Sequence, residues 1–427
     1  MNASSTSARR RRPDFGGIPG NTALLIALPL LTFALWASVR LNAGDVRLWR
    51  LDAAAWRTAL NYLRPRGIDA AVAFGWILLQ AAFQGLLPGR LVPGRPLPDG
   101  SRLDYRLNGL PAFLISLGAF IALVAVGVVD PAWLHDRFIA LALLITAFSY
   151  LGGFFLYGYG KRTDPAPHLT GIPLCDYFLG AGHNPRIPPR SGFDLKLFFE
   201  ARPGLIGWVV LDWAFLFTEA ASRGGRPSTA MILVVAFQSW YVLDYFIHEE
   251  AILSTMDVVQ EGFGWMLLFG DAVWVPFTYS IQAFYLVLVP VDLPLWAASL
   301  IVVLNFGGYA IFRAVNLQKH RFRANPEKPI WGQPPVVIQT QRGTPLLASG
   351  FWGLSRHFNY VGDIMMALAW GLPCLFGSAV PYFYVIYFTI LLVHRQRRDD
   401  RMCAEKYGTD WEEYRRRVKW RILPGIY

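Results

Sequence analysis

The sequence predicts an all-α integral membrane protein with about ten transmembrane helices, and three observations predict it. Of the 427 residues, 54% are hydrophobic and only 16% charged, which is far more apolar than a soluble globular domain. Apolar segments recur near residues 21–39, 68–88, 108–129, 135–159, 204–220, 229–250, 259–289, 296–317, 364–379 and 381–394. Several exceed the roughly 18 apolar residues that cross a bilayer. The connecting stretches carry most of the 40 Lys and Arg residues, so the net charge of +11 is mainly a topology signal.

Taken in order, residues 1–20 are basic and rich in Gly and Pro, and are expected to be disordered ahead of a single multi-pass domain over 21–427. The first apolar run has no small-residue cleavage site and reads as a membrane anchor. An even number of crossings puts both termini on one side. Arg9 to Arg12 and the arginine-rich tail make that side cytoplasmic. The same parity places Lys161 to Arg202 and Lys319 to Arg323 in the cytoplasm. It leaves Arg40, Arg47, Arg50, Arg57, Arg64 and Arg66 on the opposite face, against the charge rule. Residues 259–289, interrupted by Gly262, Gly264, Gly270, Asp271 and Pro276, read as one broken crossing. The last two segments, joined at Pro381, read as a tight helical hairpin.

The function classes narrow by exclusion. Basic residues are spread among loops, so no nucleic-acid partner is expected. No obligate protein partner is implied either; the surroundings are the lipid bilayer. The cysteines Cys175, Cys374 and Cys403 make no disulfide framework. No glycine fingerprint, phosphate-binding loop, nucleophile elbow or HExxH pattern occurs, and the seven histidines are scattered, so no metal site is expected.

Polar residues inside the apolar segments are functional candidates, because an ionisable group in a bilayer costs several kcal/mol unless it faces partners or a cavity. Tyr241, Asp244, Tyr245, His248 and Glu249 fall on one helical face, with Asp257, Glu261, Asp271, Tyr279 and Gln282 following. A polar cavity accounts for them; a hydrogen-bonded network gluing helices is the alternative. In Gly171 to Arg186, Asp176 and Arg186 flank a Gly180/Gly182 turn, which either presents backbone groups to a ligand or anchors the loop. Leu346 to Asp363 mixes Trp352, His357, Asn359, Tyr360 and Asp363 with glycines, a composition suited to a planar ring and a ribose. Arg395, Asp399, Cys403 and Tyr407 stand at four-residue steps and form a polar ridge on a helix leaving the membrane. A basic helix lying against anionic lipid would show the same charges.

The order of these residues resembles the sterol reductase family, which includes the delta-14, delta-7 and delta-24(28) sterol reductases and the lamin B receptor membrane domain. The string His394-Arg395, Arg398-Asp399, Cys403, Lys406-Tyr407-Gly408 looks like its C-terminal signature. Gly171, Asp176, Phe178, Gly180, Asn184, Pro185 and Arg186 resemble its second signature, with His183 where leucine is usual. The resemblance runs from Leu107-Asn108-Gly109 to the terminal Arg421 to Tyr427. It implies a cytoplasm-facing NADPH pocket within 296–427, made by Lys319, Arg323, Leu347, Trp352, Asn359, Tyr360, Arg395, Asp399, Cys403, Ala404, Glu405, Lys406, Tyr407 and Tyr414. It also implies that Tyr241 and Asp399 lie near the reacting carbon of a sterol substrate. The three cations Lys319, Arg323 and Arg395 suit a 2′-phosphate and a pyrophosphate.

Reduction of a ring double bond needs an acid, a hydride and the exclusion of water that would trap the cation formed on protonation. Tyr241, relayed by Asp399, is the expected donor or its positioning group, in a bacterial inner membrane or, for a eukaryotic source, the endoplasmic reticulum. Delta-14 is the favoured bond, with delta-7 and delta-24(28) as alternatives. Two rivals remain. Arg356 to Gly362 is similar to the cofactor motif of isoprenylcysteine carboxyl methyltransferases, with Phe358 where they have proline. A non-enzymatic sterol-binding scaffold would keep the fold without the activity.

Overall fold

The computed structural model describes residues 14–96, 102–164, 167, 169–189 and 192–427. Its chain forms two compact units, one ending at Pro290 and the other beginning at Val291.

The first unit contains, in order, α1 (Gly17–Asn42), α2 (Ala53–Leu63), α3 (Gly67–Leu86), the hairpin β1 (Arg90–Pro96) and β2 (Arg102–Leu107), α4 (Gly109–Ala125) and α5 (Pro131–Thr163). These are followed by α6 (Pro173–Leu179), the short ladder β3 (Arg186–Ile187) and β4 (Phe193–Asp194), α7 (Leu195–Ala201), α8 (Pro203–Ser222) and α9 (Thr229–Ile247). The unit ends with α10 (Met256–Val259), α11 (Trp265–Phe269), α12 (Val275–Thr278) and α13 (Ile281–Leu288). Side-chain caps set several starts: Asp130 accepts from Ala132 N at 2.9 Å ahead of Pro131, and Ser228 Oγ accepts from Met231 N at 3.2 Å.

The second unit consists of α14 (Leu295–Ala324), the two-residue ladder β5 (Val337–Ile338) and β6 (Leu346–Leu347), α15 (Phe351–Leu354), α16 (Asn359–Gly371), α17 (Phe383–Tyr407) and α18 (Thr409–Arg417). Gly308 and Gly362 let α14 and α16 approach closely. A Cβ on Gly308 would lie 2.7 Å from Gly362 O, and one on Gly362 would lie 2.4 Å from Gly308 O. A pair of turns around Pro373 and Pro381 joins α16 to α17, the hairpin read from Pro381.

This is an all-α membrane fold. Among the described residues, six helical stretches are long and apolar enough to cross a bilayer: α1, α3, α5, the α7–α8 run, α9 and α14; α4 is a shorter apolar helix. Residues 259–289, read as one broken crossing, are interrupted as expected, into α11, a π-helical turn at Gly270–Trp274, α12 and α13.

Several expectations need correction. Of the N-terminal stretch expected to be disordered, residues 1–13, with Arg9 to Arg12, lie outside the described residues; the remainder enters α1 at Gly17. The arginines of 40–67 are partly neutralised: Arg40 pairs with Asp136 at 2.8 Å and Arg47 with Asp45. That pairing lessens the conflict with the charge rule. The polar stripe of α9 is shorter than its spacing suggested, because the helix stops at Ile247 and a 3-10 turn, Glu249–Ser254, follows. Glu249 is thereby turned to Arg202, 2.8 Å away, and accepts from Gly109 N at 2.9 Å.

The Gly180/Gly182 turn is an anchor. Asp176 Oδ1 accepts from Thr170 N at 2.6 Å and from its hydroxyl at 2.7 Å. Arg186 donates to Asp194 at 3.1 Å and to Asp104 O at 3.0 Å, with its guanidinium over the Tyr105 ring. Gly180 sits at φ +86 with the Phe263–Gly264 backbone where a Cβ would project, 2.3 Å from Phe263 C. Gly180→Ala is therefore expected to destabilise the solubilised protein by more than about 1 kcal/mol. An unchanged thermal midpoint would contradict the anchoring role.

Candidate functional site

The second unit gathers most of the residues singled out in its sequence. Lys319 lies one turn before Arg323 near the C-terminal end of α14, where the helix dipole favours cations. The Lys319 ammonium stands 4.0 Å over the Trp352 ring. Trp352 is held from three sides. Its Nε1 donates to Val315 O at 3.0 Å, its carbonyl accepts from Tyr414 Oη at 3.4 Å, and its ring packs with Leu347, Val315 and Phe322. Leu347 is placed by the β5–β6 ladder opposite Val337.

A second wall comes from α17 and α18. Cys403 Sγ donates to Asp399 Oδ2 at 3.8 Å, as the four-residue spacing requires. Ala404 and Tyr407 pack with Trp411 and Tyr414, and the Lys406 ammonium lies 4.7 Å over the Tyr407 ring. Arg323, Glu405 and Lys406 are exposed, whereas Arg395 and Asn359 are partly covered. Asn359 Oδ1 is buried and accepts no hydrogen bond from the protein. A buried acceptor in this state is costly unless a ligand supplies the donor, which suits a ribose hydroxyl or a carboxamide.

His357, named in the ring-and-ribose stretch but not in the pocket that the resemblance implied, stands beside that pocket's Asp399. Its Nε2 lies 3.5 Å from Asp399 Oδ2 and its ring stacks on Tyr360 at 4.9 Å. Burial raises the Asp399 pKa, but the His357 hydrogen bond and the His357 and Lys319 charges outweigh it, so the carboxyl is held below its usual value. Burial, with the Asp399 charge, pushes the Cys403 thiol up to about 12. Asp399 is thus an acceptor near neutral pH, and Cys403 a neutral donor to it.

Tyr241 belongs to the first unit, on α9. Its ring is 6.2 Å from Trp208, which also packs edge-on against Tyr279 at 5.3 Å. Trp208 Nε1 donates to Gln238 Oε1 at 3.1 Å, and Gln238 Nε2 donates to Tyr279 O at 3.1 Å and Gln282 Oε1 at 3.4 Å. Asp244 and His248 pair at 3.3 Å at the end of α9. On the neighbouring α8, both oxygens of the fully buried Asp212 lack a hydrogen-bond partner, a feature unremarked in the sequence because that segment reads as plainly apolar.

The ergosterol biosynthesis ERG4/ERG24 family matches residues 9–427. The chain belongs to this family. It is 48% identical to a Delta(14)-sterol reductase of Methylotuvimicrobium alcaliphilum over 405 residues, covering 95% of this chain and 94% of that one. It is 45% identical to a mouse Delta(14)-sterol reductase, covering 99% of this chain and all of the relative. A Delta(14)-sterol reductase of Dictyostelium discoideum is 41% identical, with 97% and 92% covered. The sterol reductase resemblance carried by the two signatures is thereby established.

Within this sterol reductase, His357→Phe is expected to release the Asp399 pKa upward. A carboxyl whose folded pKa is depressed contributes stability above its unfolded pKa and loses it as pH falls through the folded one. The fall in thermal midpoint from neutral to acid pH is therefore expected to be smaller in His357→Phe, the variant having lost stability at neutral pH. An equal fall in the two proteins would contradict the pairing.

Proposed function

We propose that this chain is an NADPH-dependent delta-14-sterol reductase, its nucleotide site on the cytoplasmic side of the membrane. The relatives named Delta(14)-sterol reductase over nearly their whole length carry the choice of bond. The cation-and-aromatic wall of the second unit supports the cofactor: Lys319 and Arg323 on one helical face, Trp352 held flat beneath Lys319, and the unfilled acceptor of Asn359. Lys319, Arg323 and Arg395 would bind the phosphates, the two aromatics Trp352 and Tyr414 would shape the ring contacts, and Asn359 would accept from the ligand. Leu347, Tyr360, Cys403, Ala404, Glu405, Lys406 and Tyr407 complete the lining.

Bound NADPH supplies a hydride. The protein supplies the acid and the dry surroundings. The protein's acid would protonate C15 of a delta-14 sterol, and the tertiary cation so formed at C14 would take up the hydride that bound NADPH would supply, leaving a saturated bond. Tyr241 is the proposed proton donor or its orienting group. Asp399, held as a carboxylate by His357 and Lys319, is the proposed positioning acceptor and not the first acid. The Trp208 indole and the Tyr279 ring beside Tyr241 would help to keep out the water that would trap the cation.

The methyltransferase rival loses support. Arg356 Nη1 donates to Val418 O at 2.7 Å and Lys419 O at 3.2 Å, and Ser355 Oγ donates to Ile422 O at 2.6 Å. These residues fasten the C-terminal segment.

The test is reduction by purified protein with NADPH, offering delta-14, delta-7 and delta-24(28) sterols in parallel. Product from the delta-14 sterol alone is expected; turnover only of another sterol would overturn the assignment. Tyr241→Phe is expected to lower kcat by about 10²-fold or more, the scale of a lost acid, with little change in NADPH KM. Trp352→Ala is expected to raise NADPH KM and to cost about 3–5 kcal/mol of stability. An unaltered kcat in Tyr241→Phe would remove it from the proton path.

A further inference from the structure

The second unit carries a basic cleft that the nucleotide set does not use. Arg356, Glu412, Arg415, Arg416, Lys419 and Arg421 line a cavity of about 550 Å³. Five of the six lining side chains are cations, opposed by Glu412 in the lining and by Asp400, which lies 3.7 Å from Arg356 Nε and 3.9 Å from Arg415 Nε. A basic last turn on α18 alone would merely complement the helix dipole. Here Arg356, Lys419 and Arg421 come from outside that helix and converge on the same space.

Arg356 is held rigidly at the wall of the cleft. It is 5% exposed, its Nη1 donates to backbone carbonyls, and its Nε faces Asp400 at 3.7 Å, beyond hydrogen-bond distance. Burial and the Arg415 and Arg421 charges both press against its protonated form, only partly offset by Asp400. Cations brought this close repel one another, and an anion among them would relieve the repulsion.

The flanking surface narrows the source. Trp420, Leu423 and Ile426 are 38%, 37% and 78% exposed beside Lys419 and Arg421. Exposed Trp and aliphatic side chains interleaved with Lys and Arg are the pattern of a segment at a lipid surface. The same segment is pinned just before α16 begins: Arg356 N donates to Trp420 O at 3.0 Å and His357 N donates to Arg421 O at 2.9 Å.

We propose that this cleft is a second anion site of the protein that takes a phosphate-bearing group, with the headgroup of an anionic phospholipid as its source. The proposal rests on the membrane placement and not on the choice of sterol. Occupancy would tie the C-terminal segment, and through it the turn at Arg356–His357, to the composition of the membrane.

The test is native mass spectrometry of the full chain in neutral detergent, titrated with phosphatidylglycerol, with phosphatidylcholine, or with inorganic pyrophosphate. The first phosphatidylglycerol adduct is expected to be favoured over phosphatidylcholine. In Arg415→Gln/Arg416→Gln/Lys419→Gln the preference should fall at least about tenfold, since basic residues near a lipid surface contribute on the order of 1 kcal/mol each. NADPH affinity of that variant serves as the folding control. Glu412→Gln, which removes the opposing charge, is expected to strengthen retention even if the triple variant folds poorly. Pyrophosphate retention with the same dependence on both variants, and no lipid preference, would support the anion site with a soluble phosphate as its source. Adducts of every kind insensitive to both variants would overturn the proposal.

Discussion

The Lys319 ammonium rests 4.0 Å over the Trp352 ring, and much of the second unit serves to keep it there. The Trp352 ring cannot tilt without losing its bond to Val315 O and its packing on Leu347 and Phe322, and the Tyr414 hydroxyl holds its backbone carbonyl. Those contacts in turn fix the β5–β6 ladder and α18. A cation–π contact of this kind contributes on the order of 1–2 kcal/mol when desolvated. Its greater consequence is positional: a long, flexible lysine is held at one end of a helix next to Arg323, where phosphate would be met by a preformed charge.

The first unit solves a different problem, that of placing polar groups inside an apolar bundle. Arg202 is fully buried and survives because Glu249 stands 2.8 Å away and Asn108 Oδ1 accepts at 2.8 Å. Asn108 Nδ2 meanwhile donates to the carbonyls of Phe83, Gln84 and Leu87, closing the end of α3. Gly109 is required beside them, since a Cβ there would lie 2.0 Å from Arg202 Nη1. Removing either charge of such a pair costs about 3–5 kcal/mol, because the other is left buried and alone. Tyr241 thus sits on a helix whose far end is tied down by Glu249, and Trp208 and Gln238 hold its near surroundings.

The helices were legible because long apolar runs leave little choice in a bilayer, where each backbone group must find its partner within the segment. Pro381 marked the joint between the last two segments, and a turn there leads into α17. The polar ridge of α17 was equally legible, as i, i+4 spacing alone sets Asp399 against Cys403. What escaped the sequence depended on contacts between distant stretches. The stop of α9 at Ile247 has no Gly or Pro to announce it, and it is Arg202 that draws Glu249 out of the stripe. His357 and Asp399 are remote in sequence, and neither signals the other. The hairpin of β1 and β2 was hidden among Pro and Gly, yet Val92, Tyr105 and Leu107 bury themselves against Leu197, Ile252 and Val258. The signatures conveyed the sterol reductase family, while their packing reasons emerged only in three dimensions.

The most direct measurement is the origin of the two hydrogens added to the sterol. Turnover of a delta-14 sterol with deuterium carried on the transferable position of the nicotinamide, and separately in heavy water, separates hydride from proton. One deuterium at C14 from the nicotinamide and one at C15 from solvent is the predicted result, in keeping with a nucleotide held at the Lys319–Trp352 wall and a separate protein acid. Deuterium from solvent at both carbons, or from the nicotinamide at C15, would contradict the division of labour on which the account rests.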